Sequence, residues 1–77
     1  MKDYVPIPCH IHDELEAIGT RRQLCHLHYQ DNDGISTCLV DYLKDFQTKE
    51  KAEYLITSAG YSIRMDRIDH FEVLFWR

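Results

Sequence analysis

The spacing of hydrophobic and polar positions changes period once along the chain, and the change separates one helix from a run of strands. Leu15 and Ile18 stand three apart among Asp13, Glu14 and Glu16, a narrow apolar stripe at helical spacing. Asp13 with Glu16 three positions on has the form of a capping box, and Gly19 can take the left-handed position past the last turn. The spacing therefore predicts a short helix over residues 13–18, preceded by an arm that Pro6 and Pro8 hold extended. From Gln23 the period is two: Cys25, Leu27 and Tyr29 alternate with more polar neighbours until Asp31-Asn32-Asp33-Gly34 supplies turn chemistry for a hairpin. Ile35, Thr37 and Leu39 then alternate with Cys38, Val40 and Tyr42, and the polar run 44–51 reads as the next connection. Three more strands are expected at 53–58, 61–65 and 70–76, the last rich in the aromatic and branched residues that favour sheets.

One short N-terminal α-helix and about five short strands make a mainly β domain whose sheet is expected to bend into a small SH3-type five-strand barrel. An open sheet with the helix on one face is the alternative; closure is preferred because it leaves no long free edges. With 77 residues and no Pro/Gly/Ser-rich linker, the chain reads as a single domain over 1–77. A domain of this size buries only about 60% of the surface its unfolded chain exposes, so a deep catalytic cleft is harder to build than a flat docking face.

Charge and cysteine usage narrow the function classes. Thirteen acidic residues against nine basic ones leave a net charge of -4, the wrong sign for a protein that gains affinity by neutralising phosphates. No direct nucleic-acid partner is expected; an acidic surface suits a basic protein partner, or simply solubility. No apolar run approaches a membrane span, and Met1 to Pro6 lack the apolar segment of a signal peptide, so a cytoplasmic protein with no membrane partner is expected. Three cysteines, Cys9, Cys25 and Cys38, without a framework spacing fit reduced thiols.

The sharpest metal signal is Cys9-x-x-His12 together with Cys25-x-x-His28, a Cys2His2 set. Residues three apart on a strand point to opposite faces, so Cys25 and His28 would not reach one ion, and no metal or other cofactor is expected. Cysteine next to histidine, as in Cys9-His10, does not make a dyad in space. Phosphate-binding fingerprints are absent, with glycines far apart at 19, 34 and 60. No catalytic residues are assigned, and the protein is expected to bind rather than to catalyse. What remains is the acidic helix face, where capping would account for Asp13 and Glu16 but leaves Glu14 to solubility or recognition.

Taken in order, Tyr4-x-Pro6-Ile7-x-Cys9, Asp13-x-Leu15-Glu16, the Asp33-Gly34 turn, Asp41 with Leu43, Glu53-Tyr54-Leu55 and Ile63-Arg64-Met65-Asp66-Arg67-Ile68 resemble the Rho-binding antiterminator (Rof-type) family of bacterial proteins over nearly the whole chain. The resemblance implies one N-terminal helix on an Sm-like, SH3-type barrel. It also implies a partner, the transcription termination factor Rho, bound at its N-terminal primary RNA-binding region so that the nascent transcript is not engaged. Carried over by position, the contact surface comprises His12, where family members often have an aromatic, with Asp13, Glu14 and Glu16 on the helix. Lys49 and Lys51 lie in a loop, 48–51, where Glu50 departs from a basic residue in relatives. Tyr4 and Ile11 are candidates for an apolar anchor. A free monomer is expected. Two other classes compete: an Sm-like RNA-binding protein that assembles into a ring through strand edges, and a small zinc-binding adaptor built on the two Cys-x-x-His pairs.

Overall fold

In the computed structural model, residues 4–75 are described. They form α1 (Cys9–Thr20), β1 (Leu24–Gln30), β2 (Ser36–Lys49), β3 (Ala52–Thr57), β4 (Ser62–Arg64), a 3-10 turn (Met65–Arg67) and β5 (Ile68–Phe75). The protein is thus mainly β with one helix and five strands, paired antiparallel in the order β4-β3-β2-β1-β5. Trp76, expected in the last strand, lies outside the described residues.

The helix begins a full turn earlier than the capping pattern predicts. Pro8 is its N-cap, and the carbonyl of Pro8 accepts from the amides of Ile11 and His12 at 3.0 and 3.1 Å. Asp13 therefore sits in the second turn and caps nothing, and the first turn carries no acidic residue. A proline suits this boundary because its fixed φ is compatible with helix entry and its missing amide is no loss there. The C-terminal expectation is corrected as well. Gln23 donates to the Ile18 carbonyl and Arg22 to that of Gly19, both at 3.1 Å, a Schellman pattern. Arg22, at φ 54°, occupies the left-handed position assigned to Gly19. Gly19 stays inside the helix for a different reason: a Cβ there would stand 3.1 Å from the Leu43 carbonyl oxygen. Its bare Cα lets α1 press onto β2.

The largest difference from expectation lies in β2. The polar run 44–51 is not a connection; the strand continues through it to Lys49, pairing with β1 along its first half and with β3 along its second. A register shift between Leu43 and Asp45 marks the change of partner, the local bend a bulge provides. Between Lys49 and Ala52 the chain reverses on Glu50 and Lys51 alone, both at positive φ (51° and 66°), the geometry of a primed hairpin turn. The first hairpin matches its turn chemistry. Asp31 Oδ1 accepts from the amides of Asp33 and Ile35, and Gly34 takes φ 78°.

No hydrogen-bond ladder joins β4 to β5 among the described residues, so the sheet is not closed. It is nevertheless strongly curled. A flat sheet would set its two edge strands about 19 Å apart, whereas the chain from Arg64 at the end of β4 to Ile68 at the start of β5 spans at most about 14 Å. Inside the curl lie Leu15, Ile18, Cys25, Leu27, Leu43, Leu55, Ile63 and Met65. Leu15, Leu27, Leu55 and Met65 are wholly buried, each stabilising the fold by about 1.5–3 kcal/mol. The 3-10 turn is fixed by Arg64, whose Nε and Nη2 both donate to Asp66 at 2.8 Å. The same carboxylate accepts from the Val5 amide at 2.9 Å, which ties the N-terminal arm to this edge.

Candidate functional site

At about 100° per residue, a helix centred on Ile11, Leu15 and Ile18 toward the core turns Asp13 straight outward. His12 and Glu16 fall on one flank and Glu14 on the other. His12 is the joint between helix and sheet: its Nδ1 lies 3.4 Å from Glu16 and its Nε2 3.2 Å from Glu53 on β3. Its ring tilts against Phe46 of β2, with centroids 5.9 Å apart. Tyr4 closes the group. Its hydroxyl donates to Glu53 at 3.2 Å, and Arg64 sits 5.6 Å above its ring. Burial, reinforced by the Glu53 charge, pushes the Tyr4 hydroxyl up to about 12, so it remains a donor at every physiological pH.

The six residues expected to form the contact surface fall in three places. His12, Asp13 and Glu16 stand together, with one ligand atom from each inside a 4.8 Å circle. Lys49 and Lys51 are exposed at the end of the β2–β3 hairpin, whose Thr48–Glu53 pair carries the contact to His12. The contact loop expected at 48–51 is smaller than its sequence suggests: Thr48 and Lys49 are strand, and only Glu50 and Lys51 form the turn. Glu14 is separated from the others. It faces the groove between α1 and β5, a recess of about 420 Å³ walled by Ala17, Ile18, Phe71 and Val73. Of the two expected anchors, Tyr4 is held by Glu53 and Ile11 packs against the core, whereas the recess beside Glu14 is open.

Sequence reasoning missed Glu53 and Phe46. No local pattern marks them, because Glu53 reaches His12 only through the β2–β3 register. Among the described residues neither Asp13 nor Glu14 has a lysine or arginine partner, and both are exposed. The two Cys-x-x-His pairs do not converge. Cys25 is in the core, its thiol pushed up to about 11 by burial, while His28 points out of the opposite face of β1. This removes the ligand set of the zinc adaptor and leaves Cys25 a protonated, inert thiol. No helix among the described residues is long and apolar enough to cross a membrane. Compared with family models, curated proteins and solved structures, the chain matches none.

Proposed function

We propose that this protein inhibits Rho-dependent transcription termination, binding the N-terminal primary RNA-binding region of Rho and blocking its engagement with RNA. The observation that carries the reading is that Asp13 and Glu14 are exposed with no lysine or arginine partner among the described residues, and that Glu16 is held only by His12 on the same helix. Because α1 begins at Cys9, Asp13 is not a cap and Glu14 and Glu16 are not first-turn acids. Capping, the competing explanation for Asp13 and Glu16, is gone. An acidic helix face can occupy a basic RNA site in place of phosphates, with charge complementarity raising the association rate. The resemblance to the Rof-type family supplies the partner. A curled five-strand sheet whose edges are joined by a three-residue 3-10 turn supports reading the domain as an Sm-like, SH3-type barrel.

Exposed ion pairs contribute about 0.2–1 kcal/mol each, so removing two charges should weaken Rho binding by about twofold to thirtyfold, with the rest of the affinity coming from the recess beside Glu14. The test is the Glu14→Gln/Glu16→Gln variant, titrated onto purified Rho at low and high salt with a cytidine-rich RNA competitor. Weaker binding, a shallower salt dependence and competition with RNA are expected. Parental affinity of the variant at both salt concentrations would return these carboxylates to solubility. A second reading has one observation in its favour: β4 and β5 end the ladder as edge strands, which an Sm-like RNA-binding ring would use for assembly. A ring-sized particle that retards RNA would establish it in place of the first.

A further inference from the structure

The alternation that sends Cys25 and Leu27 into the core sends His26 and His28 out of the other face of β1. The β1–β5 register then sets His26 opposite Glu72 and His28 opposite His70. Three imidazoles and a carboxylate thus share one patch, contributed by residues more than forty positions apart. The His26 and His28 rings lie 4.2 Å apart and those of His28 and His70 5.4 Å apart, and His26 Nδ1 is 3.7 Å from Glu72 Oε1. One ligand atom each from His26, His28 and Glu72 falls within 4.8 Å of the other two. The patch lies outside the core cluster.

We propose that this face binds a divalent transition-metal ion of the zinc class, ligated by His26, His28 and Glu72, with the fourth position open and His70 beside the site. Two imidazoles, a carboxylate and one free position are a zinc-type donor set, and nitrogen ligands select against calcium and magnesium, which take oxygen. Zinc–ligand bonds of about 2.0–2.1 Å in a tetrahedron set the ligand atoms about 3.4 Å apart. The His26–Glu72 pair is already close to that value. Drawing in the remaining atoms takes small side-chain rotations on a backbone that two antiparallel ladders hold fixed, with β1 paired on both sides. The site is independent of the Rho reading and distinct from the His12, Asp13, Glu16 group, where His12 is already engaged by Glu53.

The experiment is a zinc titration of the untagged full chain by calorimetry, alongside the variants His26→Ala/His28→Ala and His10→Ala, the last at an exposed histidine away from the site. The parent should bind one zinc ion, His10→Ala should bind equally well, and the double variant should lose at least about tenfold in affinity, the scale on which even outer-shell partners tune a metal. Failure of the parent to bind zinc, undiminished binding by the double variant, or loss on His10→Ala would each overturn the assignment. Imidazole proton spectra of the parent give a check that needs no variant: zinc should shift the resonances of His26 and His28 and leave those of His10 and His12 in place, and the reverse pattern would refute the site.

Discussion

Replacing Asp66 with asparagine should loosen the fold at the one place where the N-terminal arm, the end of β4 and the 3-10 turn meet. Asp66 accepts twice from Arg64 at 2.8 Å and once from the Val5 amide at 2.9 Å, and both charged side chains are only 8% exposed. Asparagine keeps one acceptor oxygen but loses the charge and the second, so the two-point, charge-assisted pairing with Arg64 is broken at a largely buried position. Losing a hydrogen bond to a charged group costs about 1.5–3 kcal/mol, and for a domain of this size each kcal/mol lowers the melting temperature by about 4–8 °C. A fall of about 6–24 °C at neutral pH is the expected outcome of a thermal melt followed by circular dichroism. The pH dependence supplies a second readout. The Arg64 guanidinium holds the Asp66 carboxyl below its ordinary value, so its contribution is complete above the unfolded carboxyl value of about 3.9. It is lost as the pH falls through the lower folded value. Parent and variant should therefore converge in acid. A variant that melts within about 2 °C of the parent at neutral pH, or a gap that stays constant down to strong acid, would refute the account of this edge.

Two further substitutions test the backbone. Changing Glu50-Lys51 to Asn-Gly gives a primed turn the residues that tolerate positive φ, and relieving two left-handed L-residues should stabilise the protein by about 1–2 kcal/mol in a urea melt; no gain would mean that the turn is not of this type. Gly19→Val should destabilise by about 1–3 kcal/mol through crowding against the Leu43 carbonyl, although a helix interior ordinarily favours any such replacement of glycine. A stabilised variant would show that α1 does not press on β2 at this point.

Residue pattern alone was enough for the strands that have one wet and one dry face. Cys25 and Leu27 alternate with His26 and His28 because β1 is half-buried, and Asp31 and Gly34 announce their turn because the side-chain oxygen and the left-handed glycine act locally. Leu15 and Ile18 likewise marked the buried side of the helix. The helix start was misplaced because Asp13 and Glu16 imitate a capping box, while the cap is the carbonyl of Pro8, which any residue can supply. The outer half of β2 was illegible for a stronger reason: from Lys44 to Lys49 only Phe46 is partly buried, so no alternation exists to be read, and pairing with β3 imposes the extended form. Both clusters of interest depend on register in the same way. His12 meets Glu53, and His26 and His28 meet Glu72 and His70, through hydrogen-bond ladders between segments distant in sequence. Local sequence determines which face a side chain takes, through a period of two or 3.6 residues; its neighbours across the sheet are chosen by the burial of the whole core, which fixes the register in which strands pair.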